Sequence, residues 1–441
     1  MFRKTKIIAT LGPASEKRID ELIEYVDVIR INFAHGNEEQ HMRYFELVNN
    51  RVPILVDLPG PKLRIGDLKT DKIVVNRGDI IEFGEKVPVE DPLFFKLIKL
   101  GSNVLIADGR IKVKIIEIGN NYAKGIVEEG GIITSRKGIN VPDSDVPVGL
   151  TDKDYELLQE ALKLGATFIG LSFVTSPEEI RKVKEIVKDR SWIIAKIEKK
   201  AALKNLRKIV KEADGVMVAR GDLGVEVGLA DLPQTQRRIV RLARIYGKPV
   251  ILATQVLESM VTSPVPTRAE VIDVANSIIQ GVDAIMLSDE TAMGQYPVEA
   301  VKTLHELIIN VEKSFKPKPP PPFKTIDDAI AFSSVTSANL SSASCIIVYT
   351  RTGATALRIS RLRPLVPILS LTSNVEVYEK LKLCYGVYPV KLNETLVSLD
   401  KIVEKSKEIV KQLGIKGTII ITTGGPNDTE GGTRFLKVEE I

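Results

Sequence analysis

Lys196 and Glu198 stand two residues apart at the end of the apolar run WIIAKIE, residues 192–198. A strand's period of two would put both charges on one face. Inside a buried strand such charges are costly unless they are paired or meet a ligand. Comparable groups follow other short apolar runs: Arg30, Asn32 and His35; Asp57, with Lys62 and Arg64 beyond it; Ser172; Arg220-Gly221-Asp222; Thr254; and Ser288. Lys196, Arg30, Arg64 and Arg220 offer positive charge to an anion. Glu198 and Asp222 offer hard oxygen ligands, with no His or Cys beside them. That donor set suits Mg²⁺ or Mn²⁺, which shares oxygens with substrates. An ion of this kind, a lysine and several arginines in a dry site suit phosphoryl transfer, where catalysis is positioning plus electrostatics.

These groups need a scaffold that gathers strand ends. Eight short apolar runs are read as strands: Lys6–Leu11, Val26–Ile31, Ile54–Leu58, Phe168–Phe173, Ile193–Glu198, Gly215–Arg220, Val250–Thr254 and Ala284–Ser288. Amphipathic stretches lie between them, as at Leu157–Leu164, Ile239–Ile245 and Val271–Ile279. Runs this unalternated are expected where both faces are covered. A βα alternation that closes at eight predicts an α/β fold, the TIM (β/α)8 barrel, with its chemistry at the C-terminal strand ends. Residues 67–137 read differently, as β-branched segments broken by turn signals at Asp108-Gly109, Gly119-Asn120-Asn121 and Gly130-Gly131. They predict an inserted all-β module able to act as a lid. The proline-rich stretch Ser314–Phe323 predicts an extended spacer. Helices and strands alternate again after it. The expected division is therefore 1–66 with 138–314 for the barrel, 67–137 for the all-β insert and 324–441 for a C-terminal α/β domain.

Composition narrows the classes. Of 441 residues, 44% are hydrophobic and 27% charged, with a net charge of +5. This excludes a disordered chain and gives no reason to expect a nucleic-acid partner. No apolar run approaches the roughly 18 residues of a membrane span. The N-terminal apolar stretch is too short for a signal peptide. Two cysteines, Cys345 and Cys384, form no disulfide framework and indicate a cytoplasmic protein with buried thiols. Abundant Lys and Glu lean thermophilic. The sequence carries neither GxxxxGK[ST] nor GxGxxG, so phosphate recognition rests on other parts.

The blocks KTKIIATLGPAS, RINFAHG, GLSFVTSPEEI, AKIEKKAALKNL, GVMVARGDLGVEV, ILATQVLESMVTSPVPTRAE and DAIMLSDETAMGQYP resemble, in order, those of the pyruvate kinase family. The resemblance implies a β-barrel form for the insert 67–137, and transfer of a phosphoryl group from phosphoenolpyruvate to ADP, giving pyruvate and ATP. It makes Lys196 the catalytic lysine, Glu198 and Asp222 the divalent-metal ligands, and Arg30 a phosphoryl contact. Gly221, Asp222 and Thr254 would receive the substrate carboxylate, and Thr254 and Ser288 would serve enolate protonation. Asn32, His35, Arg64 and Lys137 would serve the nucleotide, and a homotetramer is implied. The family's effector-phosphate loop corresponds to Thr350, Arg351, Thr352, Gly353 and Thr355, where a strand meets a helix N-terminus suited to anions. A second effector segment corresponds to Gly424–Thr433.

The chain also departs from the family pattern. Asp289 stands where glycine is common. Where many relatives hold K⁺ with four oxygen-bearing residues, this chain has Asn32, Ala34, Asp57 and Leu58, so two of those ligands are gone. Lys62 stands where K⁺-dependent relatives place a glutamate, and its ammonium can replace the ion's charge. The expectation is an enzyme with no K⁺ requirement. Two other readings stay open: a barrel lyase or aldolase using Lys196 as a Schiff base, and an inert metabolite sensor. A Schiff-base lysine wants a lowered pKa, and Glu198 on the same face opposes that.

Overall fold

A computed structural model describes residues 2–142, 144, 149–315, 325–424 and 431–441. The expected spacer from Lys316 onward and residues 425–430 of the second effector segment lie outside the described residues.

Eight parallel strands close into a barrel: Lys6–Thr10, Val28–Asn32, Ile54–Asp57, Phe168–Leu171, Trp192–Ile197, Gly215–Ala219, Val250–Ala253 and Ala284–Leu287. Each pairs with its neighbours in chain order, and the first closes on the eighth with Lys6 opposite Ala284. Every predicted strand is present, within two residues at each end. Both faces of the wall are buried. One face packs against the surrounding helices, and Ile8, Val28, Leu55, Phe168, Ile194, Met217, Ile251 and Met286 fill the interior.

The period of two then does the positioning. Above Val28, Leu55 and Ile194 the next inward positions are Arg30, Asp57 and Lys196, so the apolar plug gives way to a charged mouth within one step. On the fourth strand the inward position is Gly170, where a Cβ would stand 3.2 Å from Asp57 Oδ1; the missing side chain makes room for that carboxylate.

Between the third and fourth strands lies the insert. It is a five-stranded antiparallel sheet, whose edge strand Ile139–Asn140 lies just past residue 137, and a two-stranded ribbon, Ile73–Val75 with Gly131–Ile133, around one apolar core. The barrel expected for this segment is thus a sheet plus a ribbon. A short helix, Leu93–Leu97, is an element the periodicity did not show.

The C-terminal sheet contains Cys345–Tyr349, Ile368–Thr372, Val387–Lys391, Thr418–Thr423 and Phe435–Glu440. Its spatial order is third, second, first, fourth, fifth, and only the last strand is antiparallel. Arg363 docks it beneath the barrel by bonding both Asp283 oxygens, at 3.0 and 2.9 Å, at the start of the eighth barrel strand. Among the described residues, no helix is long and apolar enough to cross a membrane.

Candidate active site

A cavity of about 910 Å³ opens at the C-terminal end of the barrel, between it and the insert. At its floor the Lys196 ammonium lies 2.9 Å from Asp57 Oδ1 and 3.1 Å from Glu198 Oε1, and donates to Ser172 Oγ at 2.6 Å. Ser172 Oγ in turn donates to the Leu58 carbonyl at 2.7 Å. Arg30 grips the other Asp57 oxygen from Nε at 3.0 Å and Nη2 at 2.7 Å. Glu198 Oε2 accepts from the Phe173 N–H at 2.7 Å. Buried Lys196 and half-buried Arg30 thus alternate with two buried carboxylates.

The electrostatics follow from burial and pairing. Burial works against the Lys196 charge, but Asp57 and Glu198 outweigh it and hold the ammonium above the ordinary lysine value. Burial also works against ionised Asp57, yet Lys196 and Arg30 keep its carboxyl below the usual range. Glu198 goes the other way. Burial raises it, and the nearby charges of Asp222 and Asp57 add to that despite Lys196. A carboxylate pressed upward by a second carboxylate calls for a further cation. With Asp222 at the rim this all-oxygen pair fits a hard divalent ion. A lysine held charged is the opposite of what a Schiff base needs.

Asp222 lies in the first turn of a helix, Arg220–Val227, that starts directly after the sixth strand. Lys62, from the chain leading into the insert, bonds Asp222 Oδ1 at 2.9 Å. Thr254 has a φ of +65° and Gln255 of +52°. Such values strain a β-branched residue and cluster at functional sites. The bend turns Thr254 Oγ1 toward Gly221, whose N–H donates to it at 2.9 Å.

Arg220 must be corrected. It was expected to offer charge to the substrate, but it pairs with Asp273 and donates to the Thr254 carbonyl at 3.1 and 3.0 Å. Its charge is used to hold the strained turn.

Arg30, Asn32, His35, Lys62, Arg64, Lys196, Glu198, Asp222 and Thr254 all line the cavity, as do Ala34, Asp57 and Leu58. Gly221, Ser288 and Lys137 do not. Ser288 Oγ is buried with no partner among the described residues, and its N–H donates to Glu290 Oε2 at 2.7 Å. Lys137 is exposed, and its carbonyl accepts from Ile65 N–H at 2.8 Å where the chain enters and leaves the insert. The neighbouring Arg136 lines the cavity instead, together with Thr151 and Lys153. Sequence reasoning missed these three. The capping box that Thr151 forms with Asp154 was the available signal for that helix start.

A second cavity, about 260 Å³, lies in the C-terminal sheet where the strand order reverses, between the ends of Cys345–Tyr349 and Thr418–Thr423. Open α/β sheets bind ligands at such a switch point. Thr350, Arg351, Thr352 and Thr355 line it. Gly353, at a φ of +86°, caps the helix Ala354–Arg361, and its N–H donates to Thr350 Oγ1 at 2.9 Å.

A (β/α)8 barrel whose mouth gathers a charged lysine, an arginine and two metal-competent carboxylates defines an enzyme for anionic substrates. The family model "Pyruvate kinase, barrel domain" matches residues 2–301, and "Pyruvate kinase, alpha/beta domain" matches 328–439. Curated relatives named pyruvate kinase include those of Thermococcus litoralis, 38% identical over 99% of this chain and 98% of its own, and Thermotoga maritima, 37% identical over the whole of both. That of Methanocaldococcus jannaschii is 35% identical over 100% of this chain and 99% of its own. The chain belongs to the pyruvate kinase family, a family of phosphotransferases.

Proposed function

We propose that the protein moves the phosphoryl group of phosphoenolpyruvate to ADP, releasing pyruvate and ATP, the last step of glycolysis. The observation that carries this reading is the Lys196 ammonium, buried yet held charged by Asp57 and Glu198 at the cavity floor. A fixed positive charge there meets the transferring phosphoryl group and the enolate oxygen left behind. Arg30, oriented by Asp57, contacts the phosphoryl group from the second strand. The P–O bond to the enol breaks, a terminal phosphate oxygen of ADP forms the new one, and the enolate carbon takes a proton.

Gly221, Asp222 and Thr254 receive the substrate carboxylate. Thr254 and Ser288 serve the proton relay, and the unpartnered Ser288 hydroxyl supports that role. Asn32, His35, Arg64 and Lys137 form the nucleotide side. Glu198 and Asp222 hold Mg²⁺ or Mn²⁺. Such an ion, when bound, neutralises phosphate charge and draws substrate oxygens together.

The chain works without K⁺. Of the residues where relatives hold the ion, Ala34 and Leu58 bring no side-chain oxygen, and both Asp57 oxygens already face Arg30 and Lys196. Lys62 supplies the substitute charge. The C-terminal cavity takes a phosphate-bearing effector through Thr350, Arg351, Thr352, Gly353 and Thr355. Residues 67–137 act as the lid over the barrel of 1–66 and 138–314, and 324–441 form the regulatory and assembly domain of a cytoplasmic homotetramer suited to high temperature. Exposed Phe332 and Leu340 on the helix Ile326–Leu340, with Ile272 and Ile279 on Arg268–Gln280, support the assembly.

The test is ³¹P NMR of phosphoenolpyruvate, ADP and Mg²⁺ with the protein. The ATP γ-phosphate resonance should grow as phosphoenolpyruvate disappears. Inorganic phosphate growing in its place would refute the transfer.

A further inference from the structure

Under the loop Asn32–Gly36, His41 is 2% exposed and engaged at both ring nitrogens. Nδ1 lies 2.7 Å from Glu160 Oε1 and Nε2 lies 2.8 Å from the His35 carbonyl oxygen. Both partners are acceptors. Nε2 donates to the His35 carbonyl, which can only accept, and the Glu160 carboxyl holds the other ring nitrogen. The ring also stacks on Phe33, with centroids 3.8 Å apart and planes at 4°.

Local structure explains how His41 gets there. Asn37 caps the helix Glu38–Val48, its Oδ1 accepting from Gln40 N–H at 3.0 Å, and this sets His41 one turn in. The chain clears the ring at Gly36, where φ is +85° and a Cβ would stand 3.3 Å from His41 Nε2. Glu160 comes from the helix Asp152–Leu164. That helix also fixes Gly60, whose N–H donates to Asp154 Oδ1 at 2.9 Å beside the path into the insert. One helix therefore braces the loop and the approach to the insert.

The geometry points to His41, braced by Glu160, as a positioning residue for the nucleotide side of phosphoryl transfer. It grips the backbone oxygen of His35 and the face of Phe33, and so sets where Asn32 and His35 meet the cavity. It touches no substrate itself. A histidine serving only to fill the core would need packing alone. Here one ring nitrogen bonds the loop that carries Asn32 and His35, and Glu160 holds the other nitrogen, so the ring is aimed at that loop. The inference rests on the assignment of Asn32 and His35 to ADP.

The test is steady-state kinetics on the full-length protein, varying ADP and phosphoenolpyruvate separately. His41→Phe keeps volume and stacking but donates nothing. Its KM for ADP should rise about tenfold, since loosened positioning costs at least that much, while KM for phosphoenolpyruvate stays within about twofold. Glu160→Gln can donate to Nδ1 and leave the Nε2 proton on His35, so its KM for ADP should stay near the parent's. Glu160→Leu should behave like His41→Phe. The proposal is overturned if His41→Phe keeps the parental KM for ADP. It is equally overturned if both KM values rise together and Glu160→Gln is as damaging as Glu160→Leu, since that marks a core prop. His35→Ala separates the two layers. An unchanged KM for ADP there refutes the nucleotide assignment and this proposal with it, whereas a raised one leaves a failure of His41→Phe to count against the clamp alone.

Discussion

The Lys62 ammonium lies 2.9 Å from Asp222 Oδ1, joining the chain that leads into the insert to the helix that follows the sixth strand. A fixed monovalent charge rests on a carboxylate assigned to a divalent ion. For that ion to bind, Asp222 must be shared with Lys62 or released by it. The pair is partly exposed, so its worth is modest. Lys62→Met should tighten Mn²⁺ binding in the absence of substrates by about two- to fivefold, the range of such a pair. Asp222→Asn should weaken it, because a hard cation loses an anionic ligand. Mn²⁺ titration by electron paramagnetic resonance reads both. Looser binding in Lys62→Met would show that the lysine supports the metal site rather than competing with it.

Monovalent cations should matter little. With tetramethylammonium, Na⁺ or K⁺ as the sole monovalent ion at equal ionic strength, rates should agree within about twofold, because a pocket short of oxygen donors cannot replace the K⁺ hydration shell. Lys62→Glu should lose activity that K⁺ restores only in part, since Ala34 and Leu58 still bring no side-chain ligand. A rise of tenfold or more with K⁺ in the parent would defeat this.

The effector cavity can be tested at Thr352. Thr355 is the less clean choice, because its hydroxyl already bonds Thr433 Oγ1 at 2.9 Å and the Gly432 carbonyl at 3.2 Å. Thr352→Ala should blunt activation by a sugar phosphate or nucleotide at subsaturating phosphoenolpyruvate and leave the saturated rate unchanged. Equal activation of parent and variant would move the effector elsewhere.

Cys345 and Cys384 should be silent in the folded protein. Burial pushes the Cys345 thiol from 9.0 up to about 12, and burial raises Cys384 as well. Neither should react with an aromatic disulfide reagent at pH 8, and both should react in guanidinium. The sign of the linkage is definite. A thiol raised in the folded state stabilises fully below pH 9.0, and that contribution fades as pH climbs from there toward about 12. Denaturant midpoints should fall across that window, and less steeply in Cys345→Ala. Rapid labelling of native protein at pH 8 would contradict the burial.

Much of this was legible in the residues. The barrel strands showed because a wall buried on both faces leaves unbroken apolar runs, and the charges of Lys196 and Glu198 stood out against WIIAKIE. The alternation of helices and strands in the C-terminal domain was legible too. What stayed hidden depends on partners distant in sequence. Arg220 looked like a substrate cation because nothing nearby announced Asp273, 53 positions on. The central place of Asp57, gripped by Arg30 and Lys196, was equally unreadable. So was the bracket on His41, whose partner Glu160 lies 119 positions away across the insert. The helix start at Arg220 was masked as well, because Gly221 and Gly224 fall in its first turns and favour no helix.

The most direct measurement is pyruvate formation from phosphoenolpyruvate and ADP, coupled to lactate dehydrogenase, in the parent and in Lys196→Met. The account predicts divalent-metal-dependent turnover in the parent. In the variant it predicts a kcat lower by about 10²-fold or more, the scale for removing one preorganised charge from a transferring group, with the protein still folded. A parent that forms no pyruvate with Mg²⁺ or Mn²⁺, or a folded Lys196→Met protein that turns over at the parental rate, would contradict it.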